Sequence, residues 1–336
     1  MNTSIVKDGS LRPQNVIQNL RKRAALLNHV RKEFHRQGYW EVETPLLSQE
    51  TCIDQWIEPM ECHAADQVRY LQTSPEFAMK RLVASGAESI YQICKAFRGH
   101  ESGVNHNCEF TLVEWYRVGD NYHAQMDFVE DLLRSALDFS IQNAWIAPDQ
   151  KPKQFHRISY ESAFVEFANI SALTATDDDL IQQAIDSGMT SSSKNAPLRD
   201  DVLNYLLATR VEPELEKLGS VFLYDYPASQ SALAQVRNDQ PPVSERFELY
   251  VNGIELCNGY QELTDPVELR QRMKHQNELR AKRGLRQFET ETHLIKAMES
   301  SLPECAGVAL GFDRLAMLCL GLTSVQDVIA FPFESA

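Results

Sequence analysis

From Ile17 onward, apolar residues return every third or fourth position: Ile17, Leu20, Ala24, Leu27, Val30 and Phe34. That period draws one stripe along an α-helix, and Gly38 is placed to stop it. YWEVETPLLS then reads as a strand, ended or bent by Pro45. In TSPEFAMKRLVASG a turn feeds a helix. Ser74 can cap it, Pro75 suits its first position and Glu76 its first turn. SIYQICKAFR alternates as a strand, and EFTLVEWYR as its antiparallel partner. Residues from about 125 to 215 carry helix-like patterns with polar breaks such as TATDDDL and TSSSKNAP, and read as a helical insertion. ERFELYVNGIELCNGYQEL returns to strands, with Asn252-Gly253 as a hairpin turn. DPVELRQRMKHQNELRAKRG is a charged helix, and GVALGFDRLAMLCLG is a strand that runs into a helix. The first 15 or so residues read as a polar tail.

Composition adds limits to this outline. With 336 residues, 43% of them hydrophobic, the chain can bury a sizeable core. No apolar run approaches the ~18 residues that cross a bilayer, and MNTSIVKDGSLRPQ lacks the apolar centre of a signal peptide. The expectation is a cytoplasmic protein with no membrane partner. Seven cysteines without a CxxC pair point to reduced thiols rather than a disulfide framework or a zinc site. A net charge of -14 counts against an extensive surface for RNA, since phosphate binding draws on lysine and arginine.

The chemistry concentrates in three places. On a strand from Glu109 to Arg117, side chains two apart face the same way, so Phe110, Leu112, Glu114 and Tyr116 share one face about 20 Å long. Phe110 can stack on a base at one end, while Glu114 and Tyr116 hold an amino group at the other. The plainer reading is a half-buried strand with a solvated end. In the hairpin, a two-residue turn sets Val251 opposite Ile254 and Tyr250 opposite Glu255, with Glu248 diagonal to Glu255 at about 7–8 Å. Two carboxylates at that reach can share a Mg²⁺ bound to phosphates, or form a solvated acidic face. Glu262 has the wrong parity for that group unless Asn258-Gly259 bulges the strand. Arg98 and Arg314, far apart in sequence, offer guanidinium forks that match phosphate oxygens. The glycines near Arg98 make neither a P-loop nor a GxGxxG. His100 and His106 flank the same loop without metal-ligand spacing, and Cys108 and Cys257 read as structural.

At these residues the chain resembles the class II aminoacyl-tRNA synthetases. EVETPLL is similar to their motif 1, with Pro45 as its proline. FR…HN.EFT..EWY is similar to motif 2, and GVALGFDRL to motif 3. TSPE and GIELCNGYQELTD place the resemblance in the lysyl branch. Within it, the match is nearest to the short paralogues that ligate (R)-β-lysine to elongation factor P, from about Val16 to Ala336.

The resemblance implies an α+β fold: one class II catalytic domain over 16–336, an antiparallel sheet flanked by helices, with the insertion at about 125–215 and no anticodon-binding domain. It implies ATP and Mg²⁺ as cofactors, (R)-β-lysine as substrate, elongation factor P as acceptor and a homodimer built around the Pro45 segment. Arg98 would meet the α-phosphate and Arg314 the γ-phosphate. Phe110 would stack on adenine, with His100, Glu101, His106, Asn107, Leu256 and Gly311 bordering the nucleotide. Glu248 and Glu255 would bind Mg²⁺, with Glu255 also facing ATP. Ser74, Glu76, Glu114, Tyr116, Asn258, Glu262 and Ala309 would shape the amino-acid pocket. The lysyl synthetases carry glycine where Ala309 stands. Two departures bear on the nucleotide: the motif 2 glutamate, Glu101, sits one residue later than usual, and Cys108 replaces a proline. Two other readings stand beside this one: a lysine-activating enzyme that charges a tRNA, and a catalytically silent paralogue that senses an amino acid.

Overall fold

The computed structural model describes residues 17–99, 101–190 and 197–336. The predicted polar tail at 1–15 and His100 lie outside the described residues. The strands are β1 (Trp40–Glu41), β2 (Leu47–Ser48), β3 (Met60–Ala64), β4 (Gln67–Leu71), β5 (Ser89–Phe97) and β6 (Glu109–Val118). They continue with β7 (His156–Ser159), β8 (Ser220–Pro227), β9 (Val236–Arg237), β10 (Val243–Val251), β11 (Ile254–Gln261) and β12 (Cys305–Gly311). The helices are α1 (Ile17–Arg36), α2 (Glu76–Ala84), α3 (Tyr122–Gln142), α4 (Tyr160–Ala163) and α5 (Asp177–Asp186). After them come α6 (Arg199–Leu206), α7 (Glu212–Leu218), α8 (Pro266–Lys282), α9 (His293–Ser300) and α10 (Phe312–Cys319).

One large sheet runs in the order β1-β5-β6-β12-β11-β10-β8-β7, with β9 added on β10. Its middle is antiparallel, as predicted. At the two rims the pairing is parallel, β1 with β5 and β7 with β8, because each rim strand enters by a crossover rather than a hairpin. The strand predicted for YWEVETPLLS is not continuous. Pro45 separates β1, which joins the large sheet, from β2, which joins a small sheet ordered β2-β4-β3.

Alternation along each strand sorts the side chains to two faces. Val113 and Trp115 of β6, Phe247 and Leu249 of β10, and Val308 and Leu310 of β12 point to the back. There they form one core with α1, α3 and α10. The stripe of α1 is rotated from the predicted one: Leu26, Val30 and Phe34 are buried, while Ala24 is exposed. Trp115 also donates to Gln125 of α3 at 2.7 Å. Thus α3, inside the stretch predicted as an insertion, belongs to the back layer.

The front face is covered twice. The insertion proper, α4 to α7, builds its own core against Val221, Leu223 and Tyr250. At the other side, Met79 of α2, Leu269 of α8 and Ile295 of α9 pack with Ile90 and Tyr116. Between these two coverings the middle of the sheet stays open.

Candidate active site

The opening is a cleft of about 1140 Å³. Its floor is the front face of β6, β12, β11 and β10. Register places Glu114 beside Ala309, Ala309 beside Asn258, and Asn258 beside Glu248. Four strands from three separate parts of the chain therefore deliver one row of functional side chains.

The hairpin explains how. Asn252 and Gly253 both take positive φ, 50° and 75°, the pair required by a tight two-residue turn. Tyr250 faces Glu255 as predicted, but Glu248 pairs with Asn258. The extra residue is Leu256, not the predicted Asn258-Gly259 pair. Leu256 and Cys257 both enter the back core, and this bulge reverses the parity after Glu255. Glu255, Asn258, Tyr260 and Glu262 thereby face forward together.

At one end lie the carboxylates. Glu114 is buried, and its two oxygens accept from Tyr116 and Ser74, each at 2.7 Å. Burial, and then Glu76, push its pKa up to about 7. Ser74 accepts the Glu76 N–H at 3.0 Å, so it anchors the start of α2, and Pro75 precedes the first helical residue rather than occupying it. Glu76, one turn ahead of Lys80, contacts its Nζ at 2.7 Å, and Glu262 meets the same nitrogen. Burial works against the Lys80 charge, but Glu262 and Glu76 outweigh it and hold the ammonium above its ordinary range. Glu262 faces forward but does not line the cleft itself; it is covered from the side of α2, with 1% of its surface exposed. Gly307 makes that placement possible, because a Cβ there would meet Tyr116 at 2.4 Å and Glu262 at 2.5 Å.

At the other end lie the arginines. Arg98 sits 5.2 Å over the Phe110 ring, near Glu101 at 3.6 Å. Arg314 donates to the Glu255 carbonyl at 2.6 Å and reaches His106 Nε2 at 2.7 Å. Burial, and then Arg314, lower the His106 pKa, so the neutral ring accepts that bond. Gly311 ends β12 at the start of α10, and Asp313 there accepts the Thr111 N–H at 2.8 Å and pairs with Arg23. This lock fixes the helix that carries Arg314. Asn107 donates to the Glu109 carbonyl at 2.6 Å and accepts the Phe333 N–H at 2.9 Å.

The two carboxylates assigned to Mg²⁺ differ. Among the described residues, Glu255 has only Arg314, at 3.5 Å, on its carboxylate, and 40% of its side chain is exposed. It is a hard oxygen donor of the kind Mg²⁺ takes. Glu248 accepts from Arg246 at 2.5 Å and from Tyr226 and Tyr250 at 2.7 Å each. Its oxygens are already engaged, so Glu255 fits the ion directly and Glu248 supplies nearby negative charge.

Sequence reasoning missed Lys80 and Arg246. Both left a signal: Lys80 stands at i+4 from Glu76 on one helix, and Arg246 two before Glu248 on one strand face.

A mainly antiparallel sheet under one open cleft, with carboxylates at one end and arginines at the other, has the plan of a class II synthetase domain. The match to the family model for class II tRNA synthetases (D, K and N) covers residues 9–335, and the chain belongs to that family. It is 40% identical over 97% of its length to the elongation factor P–(R)-β-lysine ligase of Edwardsiella ictaluri (strain 93-146), covering 98% of that protein. It is 41% identical to the proteins of the same name from Pseudoalteromonas translucida (strain TAC 125) and Yersinia enterocolitica serotype O:8 / biotype 1B (strain NCTC 13174 / 8081), covering 96% and 97% of this chain and 98% of each relative.

Proposed function

We propose that this protein activates (R)-β-lysine with ATP and transfers it to a lysine side chain of elongation factor P. One observation carries the reading beyond the family: the carboxylates Glu76 and Glu114 and the arginines Arg98 and Arg314 line one cleft, at opposite ends. A diamino acid has two ammonium groups to satisfy the first, and a triphosphate has the charge to satisfy the second.

The reaction follows from that polarity. The β-lysine carboxylate oxygen attacks the α-phosphorus of ATP, and pyrophosphate leaves. Arg98, near the junction, offsets charge on the attacked phosphate, while Arg314 and neutral His106 hold the outgoing end. Phe110 provides a face for adenine once Arg98 swings to phosphate, and Glu101, Asn107, Leu256 and Gly311 border that nucleotide. Glu76, Glu114 and Tyr116 anchor the ammonium groups, with Ser74 fixing Glu114 and Ala309 and Asn258 forming the floor. Bound Mg²⁺, held by Glu255 beside Glu248, supplies charge neutralisation on the phosphates. In the second step a deprotonated ε-amine of the acceptor attacks the acyl carbon, AMP leaves and an amide remains. The exposed apolar side chains Trp40, Leu46 and Leu47 around Pro45 support a homodimer contact there.

The test is pyrophosphate–ATP exchange. Exchange should require Mg²⁺ and run faster with (R)-β-lysine than with α-lysine. Arg98→Ala should lose at least ~2–3 kcal/mol of transition-state stabilisation, as for removal of an aimed charge. No exchange with any lysine isomer would overturn the reading.

A further inference from the structure

Lys80 is a lysine with 1% of its surface exposed, in a place where the activation chemistry gives it no task. Burying an ammonium is costly unless carboxylates repay it. Here two do, from different elements: Glu76 on its own helix at 2.7 Å, and Glu262 beyond β11. Its other titratable neighbours are Tyr116 of β6, whose ring centre is 6.0 Å away, Glu114 of β6, Cys305 of β12 and Cys52 of the segment before β3. Two carboxylates thus meet one fixed ammonium, with the Glu114 carboxyl close by, so the group has more acidic partners than cations. Without Lys80, the carboxylates of Glu76 and Glu262 would repel each other.

We propose that Lys80 is a specificity-determining positioning residue: it clamps Glu76 against Glu262 and so holds the Glu76 carboxylate, which lines the cleft beside Glu114, in place for the ammonium groups of a diamino acid. The geometry gives this role to a buried side chain outside the cleft lining, which need not touch substrate. The proposal rests on the diamino-acid reading above and adds the device that enforces it.

The experiment compares the wild-type enzyme with Lys80→Met in pyrophosphate–ATP exchange across pH. The KM for (R)-β-lysine should rise at least about tenfold while that for ATP stays within about twofold. The acid limb of kcat/KM should move up by about one pH unit, because the unclamped carboxylates hold protons longer. Added methylammonium should restore part of the activity by refilling the cation site. An unchanged β-lysine KM with an unmoved acid limb would overturn the proposal while leaving the activity intact. Absence of exchange in the wild type would instead defeat the underlying reading. Should Lys80→Met fail to fold, the ¹³Cε signal of Lys80 in the wild type decides: it should report a charged amine to about pH 10, and loss of the proton below about pH 9 would sink the idea.

Discussion

Glu114 is a buried carboxyl whose ionised form is penalised by its surroundings. Its pKa is about 7 in the folded protein against 4.5 for the free side chain, with burial as the main cause. A raised folded value means that the unfolded chain gives up this proton first. The stabilising contribution is therefore complete below pH 4.5 and fades as pH rises through about 7. The loss is roughly 3 kcal/mol at its limit. Glu114→Gln should raise the Tm of the substrate-free protein relative to wild type at pH 8, with the gap shrinking toward pH 5. A gap that is constant with pH would show that Glu114 stays ionised. At this scale the sequence was most legible on the strands. Phe110, Leu112, Glu114 and Tyr116 share a face because parity alone decides it. The Lys80 clamp was not legible, because it joins α2 to the end of β11, a meeting that no local pattern encodes.

Among elements, the bulge at Leu256 shows where local reading stops. Turn chemistry at Asn252-Gly253 fixed the register of the first pairs, but the position of the extra residue depends on which side chain fills the back core. Leu256 and Cys257 both do, so the reversal falls there rather than at the glycine. Likewise the helical pattern of α3 was plain, but its assignment to the back layer came only with Trp115 and Gln125 in contact. A second connection between elements governs the nucleotide end. The Phe333 N–H reaches Asn107, and the Val325 N–H reaches the Val104 carbonyl at 3.0 Å, so the last segment braces the loop between β5 and β6. Removing residues 331–336, and with them the Phe333–Asn107 bond, should raise the KM for ATP by a few-fold to about tenfold, the scale of one lost hydrogen bond. The KM for β-lysine should hold. Equal changes in both would mean that the segment supports the whole fold instead.

For the whole molecule, charge and cleft together bear on the acceptor. A net charge of -14 suits the approach of a single ammonium better than that of a polyanion. The attacking amine must first lose its proton, so transfer should rise with pH toward the lysine's own pKa. Labelled β-lysine should become base-stable on elongation factor P, as an amide, and replacing the target lysine of the acceptor should abolish labelling without touching pyrophosphate exchange. Base-labile label on tRNA, with none on the protein, would reverse the assignment of acceptor.

The back of the large sheet is sealed by one continuous core, whereas its front is shared by two that do not merge. The reacting groups stand on the strip between. Inherited change in either front layer can therefore move one wall of the chamber while the frame that aligns the row from Glu114 to Glu248 stays put. A lineage built this way can try new guests one wall at a time and keep its working chemistry throughout.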